Sequence, residues 1–262
     1  MTCSTARPEG SGLQRVLEVE RAAARTWPAG TVVHRAGWLL RHCSRMRRRR
    51  SNSALPPARV ADPEAEIAQL VRFYAERSAR AVVQVSPLPW HAELDAHLAA
   101  RGFAVEAPVQ VMTAPVERAA EVDAADVEVR LDARPDEGWL AAVAQVGSRP
   151  EPELARLDRP VRFATALLDG RPAGVGMFVR DGAWCAVYGM ATAPEARGRG
   201  VARAVLRAGA RWAAQAPAGG SGGAAEVFLQ VERANAAALR LYSGAGFEFS
   251  HLYHYRVAET AA

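Results

Sequence analysis

The sequence predicts an α/β (α+β) protein built as two domains, each a mixed, mainly antiparallel twisted sheet flanked by helices. Three observations carry this. Strand-like and helix-like runs alternate along the chain. Two Asp-Gly pairs, Asp169-Gly170 and Asp181-Gly182, punctuate β-rich runs and mark a three-stranded meander. The chain also repeats itself. "HAELDAHLAARGF" (91–103) aligns with "NAAALRLYSGAGF" (235–247), which sets Gly102-Phe103 on Gly246-Phe247, 144 residues further on. A strand ending Gln-Val precedes each copy and another strand follows each. That order of elements is the mark of an internal duplication.

The elements follow from local pattern. "LQRVLEVERAAARTW" (13–27) has helical periodicity. Residues 32–56 read as strands and loops around a basic run. "PEAEIAQLVRFYAERS" (63–78) reads as a helix with Asp62 as its N-cap. "AVVQV" (81–85) reads as a buried strand, and 91–103 as a short helix closed by Gly102. "PVQVMTAPV" (108–116), bounded by prolines, reads as an edge strand. The polar, acidic stretch at 117–126 reads as a linker. Beyond it come the strand "VEVRL" (127–131), the helix "DEGWLAAVAQVG" (136–147) and the meander over 161–192. A helix then runs to about Ala214, and "APAGGSGG" (216–223) reads as a flexible loop. "EVFLQV" (226–231) is a buried strand, 235–247 a short helix and "HLYHYRV" (251–257) a closing strand. The expected division is an N-terminal domain over 10–118, a linker over 119–126 and a C-terminal domain over 127–262.

Composition narrows the function classes. The chain has 262 residues, half of them hydrophobic, enough for ordered cores. No apolar run reaches the roughly 18 residues of a membrane span. "MTCSTARPEGSG" at the start lacks the apolar core of a secretory leader. A cytoplasmic location away from membranes is the expectation. Cys3, Cys43 and Cys185 lie far apart and form no paired motif. That argues against a disulfide framework and against a Cys-rich metal site. Cys185 reads as a small buried apolar residue. The net charge is +5 with no lysine, so every basic charge is an arginine. Arginine stays protonated and forks onto phosphate oxygens.

"PEARGRGVARAV" (194–205) carries the chemistry. Backbone N–H groups at a helix start lack partners and sit at a positive dipole end. Glycines let an anion approach them closely. Arg197, Gly198, Arg199, Gly200, Val201 and Ala202 therefore form a candidate phosphate cradle. A P-loop would end in Gly-Lys-Ser/Thr, which a lysine-free chain cannot supply. A dinucleotide fold would place the glycines after the first strand of a βαβ unit, whereas here they follow a meander.

The surroundings resemble one family. "YGMATAPEARGRGVARAVLRAGARW" resembles the coenzyme A-binding motif of the GCN5-related N-acetyltransferases, Arg/Gln-x-x-Gly-x-Gly/Ala, matched by Arg197, Gly200 and Ala202. "NAAALRLYSGAGF" resembles that family's second signature, matched by Asn235, Ala238, Leu241, Tyr242, Gly246 and Phe247. The resemblance covers roughly residues 127–258. It implies acetyl-CoA as co-substrate and no metal. It also implies pyrophosphate at 197–202 and backbone pairing of the pantetheine arm with Met190, Ala191 and Thr192. Asn235 would contact the cofactor, and Tyr242 would protonate the departing thiolate. The acceptor would be an amine, on a small molecule or a peptide.

Two features resist this reading. Many relatives carry a glutamate on the central meander strand, but "AWCAVYGMAT" has no acid there. Tyr188, Gln230, Glu232, His251 and His254 remain candidate bases acting through water. The first half keeps no cofactor motif: His91 stands at the place of Asn235 and Leu98 at that of Tyr242. It reads as a degenerate acetyltransferase-like domain walling the substrate site, similar in plan to tandem members such as mycothiol synthase. A non-catalytic acetyl-CoA sensor or partner module is the alternative function. The run "RHCSRMRRRR" (41–50) offers a second alternative, a nucleic-acid surface. A solvated hairpin is the preferred reading of that run, since no aromatics interleave with it. Attraction of an acidic substrate or of the coenzyme's phosphates is a third. Trp27, Trp38, Trp90, Trp139 and Trp184 read as core or interface anchors, and 146–160 as a loop lining the acceptor pocket.

Overall fold

The computed structural model describes residues 9–145, 154, 157–216 and 222–259. The expected acceptor-pocket loop and the glycine-rich loop fall largely outside them. Among the described residues, no helix is long and apolar enough to cross a membrane, and no group of three or more potential metal ligands is found.

The first half runs α1 (Glu9–Thr26), β1 (Thr31–Arg35), β2 (Trp38–His42), β3 (Ala54–Leu55), α2 (Pro63–Ala75), β4 (Val82–Val85), α3 (His91–Ala100) and β5 (Phe103–Pro115). After α4 (Val116–Ala120) and β6 (Glu128–Asp132), the second half runs α5 (Glu137–Gln145), β7 (Val161–Leu168), β8 (Arg171–Asp181), β9 (Trp184–Thr192), α6 (Val201–Ala214), β10 (Glu226–Glu232), α7 (Ala236–Gly244) and β11 (Glu248–Ala258). Local chemistry fixes several boundaries. The Asp62 carboxylate accepts from Ala65 N and caps α2. Asn235 accepts from Ala238 N and caps α7. Asp169 (φ +52) and Gly170 (φ +73) make a two-residue hairpin with both φ values positive.

All eleven strands form one sheet, ordered β1-β2-β3-β4-β11-β5-β10-β9-β8-β7-β6. The duplication is visible in that order. β3 pairs parallel with β4 as β9 pairs parallel with β10. Gly102 (φ +78) and Gly246 (φ +86) end α3 and α7 alike. The final strands are exchanged: β5 lies against β10 and β11 lies against β4.

β5 is therefore central, and the edge strand expected from its prolines is not found. Pro108 is accommodated by a bulge. Tyr253 pairs with Val109 and Tyr255 with Glu106, so β5 carries one extra residue there. Ala107 takes φ +45 at that point. A bulge leaves a position unpaired, which is where a proline without an N–H can sit.

The stretch read as a linker begins inside α4. Val116, Ala119, Ala120 and Val122 are buried. Arg211 donates to Ala120 O and Arg207 to the carbonyls of Ala124 and Ala125. The segment is thus pinned along α6.

One face of the sheet is covered by α2 and α3 over the first half and by α6 and α7 over the second. The other face buries α1 residues Val19, Ala22 and Ala23, and α5 residues Trp139 and Val143, in a shared core. Cys185 is buried as expected, on the α6–α7 face, and burial pushes its thiol up to about 12. Of the tryptophans read as anchors, Trp90 is the exposed one.

Helix α6 sits unusually close to β8. A Cβ on Gly209 would lie 2.2 Å from the Phe178 ring, and one on Gly174 would lie 2.5 Å from a Val201 methyl. Gly209→Ala is expected to destabilise the protein by about 1–3 kcal/mol through overpacking, even though alanine is the better helix former. Denaturant unfolding checks it.

Candidate active site

The site begins where two parallel strands part. β9 and β10 pair from Trp184–Glu226 to Val187–Leu229 and no further. The cause lies on β9. Val175 opposes Ala191 but Met177 opposes Tyr188, so β9 holds an extra residue. Gly189 sits there with φ +60. A bulge bends its strand, and this one swings β9 away from β10.

The gap is a cavity of about 310 Å3. Tyr188, Met190 and Ala191 line it from β9, and Gln230 and Glu232 from β10. Asn235, Ala238 and Tyr242 line it from α7. Met190 and Tyr242 belong to the packing on the α6–α7 face, and Tyr188 and Trp27 to the packing on the α1 face. The opening therefore passes through the sheet. No β8 residue is registered opposite Gly189 or Met190, which leaves their backbone available to an extended ligand.

The glycine stretch follows directly. A 3-10 turn at Pro194–Ala196 links β9 to α6. Gly198 (φ +75) and Gly200 (φ +78) both take left-handed backbone, and Gly200 is the N-cap of α6. A Cβ on Gly200 would meet the Ala125 Cβ at 2.8 Å, while one on Gly198 would meet nothing. Helical bonding starts with Ala204 N donating to Gly200 O at 3.0 Å. The amides of Val201, Ala202 and Arg203 precede it at the positive helix end. Arg197 and Arg199 are exposed beside them, whereas the Val201 side chain is buried under the helix. Thr192 ends β9, before Ala193 anchors its N–H on Ala173 O. Positive-φ glycines, first-turn amides and flanking arginines are what a bound pyrophosphate needs.

Tyr242 is buried against Phe247, with ring centroids 5.8 Å apart. Burial pushes its phenol up to about 12. The expected bases fare unequally. Tyr188 bonds Thr26 Oγ1 at 2.8 Å, and burial also pushes it up to about 12. His251 Nε2 lies 2.6 Å from buried Glu20, and His254 Nε2 lies 2.8 Å from Asp95. Glu232 and Gln230 face the cavity.

The first half contributes residues that the sequence did not mark for the site. Trp27, Arg48 and Arg50 line the cavity. The basic loop is not a free hairpin. Trp27 Nε1 donates to Ser51 Oγ, and Ser51 Oγ donates to Pro28 O. Asn52 accepts from Cys43 N and donates to Met46 O. Arg49 pairs with Glu106. The signal for this convergence was present as the longest acid-free, arginine-rich stretch, residues 21–61, but its direction was not.

Comparisons with known proteins bear on the family and the fold. A family model described as "Probable histone acetyltransferase Rv0428c C-terminal" matches residues 14–256. No curated protein matches. Among solved structures, the chain is similar to a GCN5-related N-acetyltransferase from Kribbella flavida, at 16% identity and TM-score 0.71, covering 96% of this chain and 97% of that one. It is also similar to a tandem GNAT protein from the clavulanic acid biosynthesis pathway, at 12% identity and TM-score 0.65, covering 97% and 96%. A functionally unknown conserved protein from Staphylococcus epidermidis matches at 11% identity and TM-score 0.64, over 88% and 94%. At such identities these structures speak for the fold, while the family model spans nearly the whole chain. The chain belongs to this acetyltransferase family, and its fold is that of the GCN5-related N-acetyltransferases, the tandem protein among them.

Proposed function

We propose that the protein transfers an acetyl group from acetyl-CoA to a primary amine by direct attack, with no covalent enzyme intermediate. The observation that carries this is the cavity between the parted β9 and β10. It has Asn235 and Tyr242 on one face of the sheet and a glycine-lined helix start at the end of β9. In this reading residues 127–262 form the catalytic unit, 119–126 the connection, and 10–118 the wall of the acceptor side.

Each residue has a task. The amides and arginines of 197–202 hold the coenzyme's pyrophosphate. The backbone of Met190, Ala191 and Thr192 pairs with its pantetheine arm and offers an N–H to the thioester oxygen, where negative charge builds. Asn235 contacts the cofactor from the start of α7. The amine nitrogen bonds to the acetyl carbon as the carbon–sulfur bond breaks, and the sulfur leaves with the bonding pair. Glu232 takes the amine's proton through water, being the carboxylate among the lining residues.

Tyr242 serves the leaving sulfur. A phenol near 12 facing a thiol of about 8.5 makes full proton transfer uphill by about 5 kcal/mol. A hydrogen bond from Tyr242 to the developing thiolate needs no such transfer. Tyr242→Phe is expected to lower kcat by about 10- to 100-fold, the value of a hydrogen bond to a charged group, with acetyl-CoA affinity nearly unchanged. Equal loss of both would mark a packing residue. Burial keeps the phenol protonated, so the wild-type rate should show no falling limb from Tyr242 below about pH 11. Calorimetric titration with acetyl-CoA tests the whole reading, and absence of binding would overturn it.

A further inference from the structure

Arg50 occupies an unusual position. Its guanidinium lies 5.1 Å from the Trp27 ring centroid and 5.1 Å from that of Tyr188. It lines the active-site cavity from the α1 face of the sheet, opposite the face of Tyr242. The two rings stand at 70° to each other, so they hold the cation from two directions, and its five N–H donors outnumber these contacts. Among the described residues, no carboxylate pairs with it. Glu232 shares the cavity, and no ion pair joins the two. The loop around Arg50 is stapled through Ser51 and Asn52, so the charge is held in place.

A guanidinium held by two aromatic rings at the wall of a cavity is suited to meet a planar anion in a two-point bond. Arg48 lines the same cavity. The cofactor's phosphates belong to the α6 end, on the other face of the sheet. The charge on the α1 face therefore faces the acceptor.

We infer that the acceptor is a small amine carrying a carboxylate, and that Arg50 selects it by binding that carboxylate while the amine points toward β9. This rests on the acetyl-transfer reading above. A basic peptide tail would instead set its own positive charges against Arg50, in a partly desolvated space where like charges repel strongly.

Bisubstrate conjugates test this. CoA-S-acetyl conjugates of glycine, β-alanine and 4-aminobutyrate are compared with their carboxamides by calorimetry, together with a conjugate of a lysine-rich peptide. At least one carboxylate is expected to bind about 10-fold or more tightly than its amide. Arg50→Gln should bring that ratio to near one while acetyl-CoA affinity holds. Arg50→Lys, keeping charge without the fork, should restore part of it. If Arg50→Gln fails to fold, the wild-type ratio alone decides. Equal binding of every acid and amide, or preference for the lysine-rich conjugate, overturns the inference and leaves the cofactor reading standing. Binding of no conjugate and no acetyl-CoA overturns both.

Discussion

His251→Ala is expected to destabilise the protein by about 2–5 kcal/mol, the cost of leaving a buried Glu20 oxygen without its hydrogen-bond partner and the imidazole's space empty. Glu20 on α1 and His251 on β11 are each under 5% exposed. Their side chains meet at 2.6 Å. The second Glu20 oxygen accepts from Gln84, whose own oxygen faces Arg41 at 3.5 Å, and Arg41 donates to Ser53 Oγ at 2.9 Å. The chain of bonds ties the first helix to the last strand, to β4 and β2 of the first half, and to Ser53 just before β3. Alanine at 251 leaves the Glu20 carboxylate buried with only Gln84 as partner. Denaturant unfolding at neutral pH measures the loss. The double change Glu20→Gln with His251→Gln should cost less than the single one, because neutral partners can share the space. Turnover per folded molecule is expected to stay unchanged, which separates His251 from a catalytic base. A small stability loss with a large rate loss would reverse that assignment.

The pair also shows what the sequence could reveal. Element types were legible because their signals are local. Asp62 and Asn235 cap helices by reaching three residues along the chain, and Asp169-Gly170 turns a hairpin within itself. The duplication was legible because two copies of one motif survive. The exchange of β5 and β11 was not legible. A strand's pattern says which face it buries and not which neighbour it takes. Pro108 pointed to an edge because a proline cannot donate, but a bulge supplied by Ala107 answers that need in the middle of a sheet.

The site divides in the same way. Gly198, Gly200, Asn235 and Tyr242 were readable from motifs whose members are close in sequence. Arg50 and Trp27 reach the cavity only because the first half docks across the α1 face. The arginine run read as a solvated hairpin for the same reason: nothing in it names Ser51 as the anchor of Trp27. His251 and His254 were offered as bases on residue type alone. Their carboxylate partners, Glu20 and Asp95, lie more than 150 residues away in sequence.

Gly198→Asp is expected to weaken acetyl-CoA binding about 30- to 1,000-fold, and Gly198→Asn far less. The position suits the comparison. Gly198 has φ +75, which asparagine and aspartate tolerate better than other side chains. A Cβ there meets no atom within 4 Å. Both variants should therefore fold, and they differ by one charge. That charge would stand beside the first-turn amides of α6, where the coenzyme's pyrophosphate is proposed to lie. Repulsion between unit charges a few ångströms apart, at the intermediate dielectric of a protein surface, is worth about 2–4 kcal/mol. The gap between the two variants should shrink as salt is raised, because the cradle is exposed. Gly200→Glu should abolish binding outright, but less informatively. It combines the charge with a left-handed backbone and a contact of 2.8 Å to the Ala125 Cβ. Calorimetry at two ionic strengths reads the Gly198 pair. Equal affinity of the aspartate and asparagine variants would mean that no phosphate comes near this turn, and the cradle would have to be sought elsewhere on the α6–α7 face.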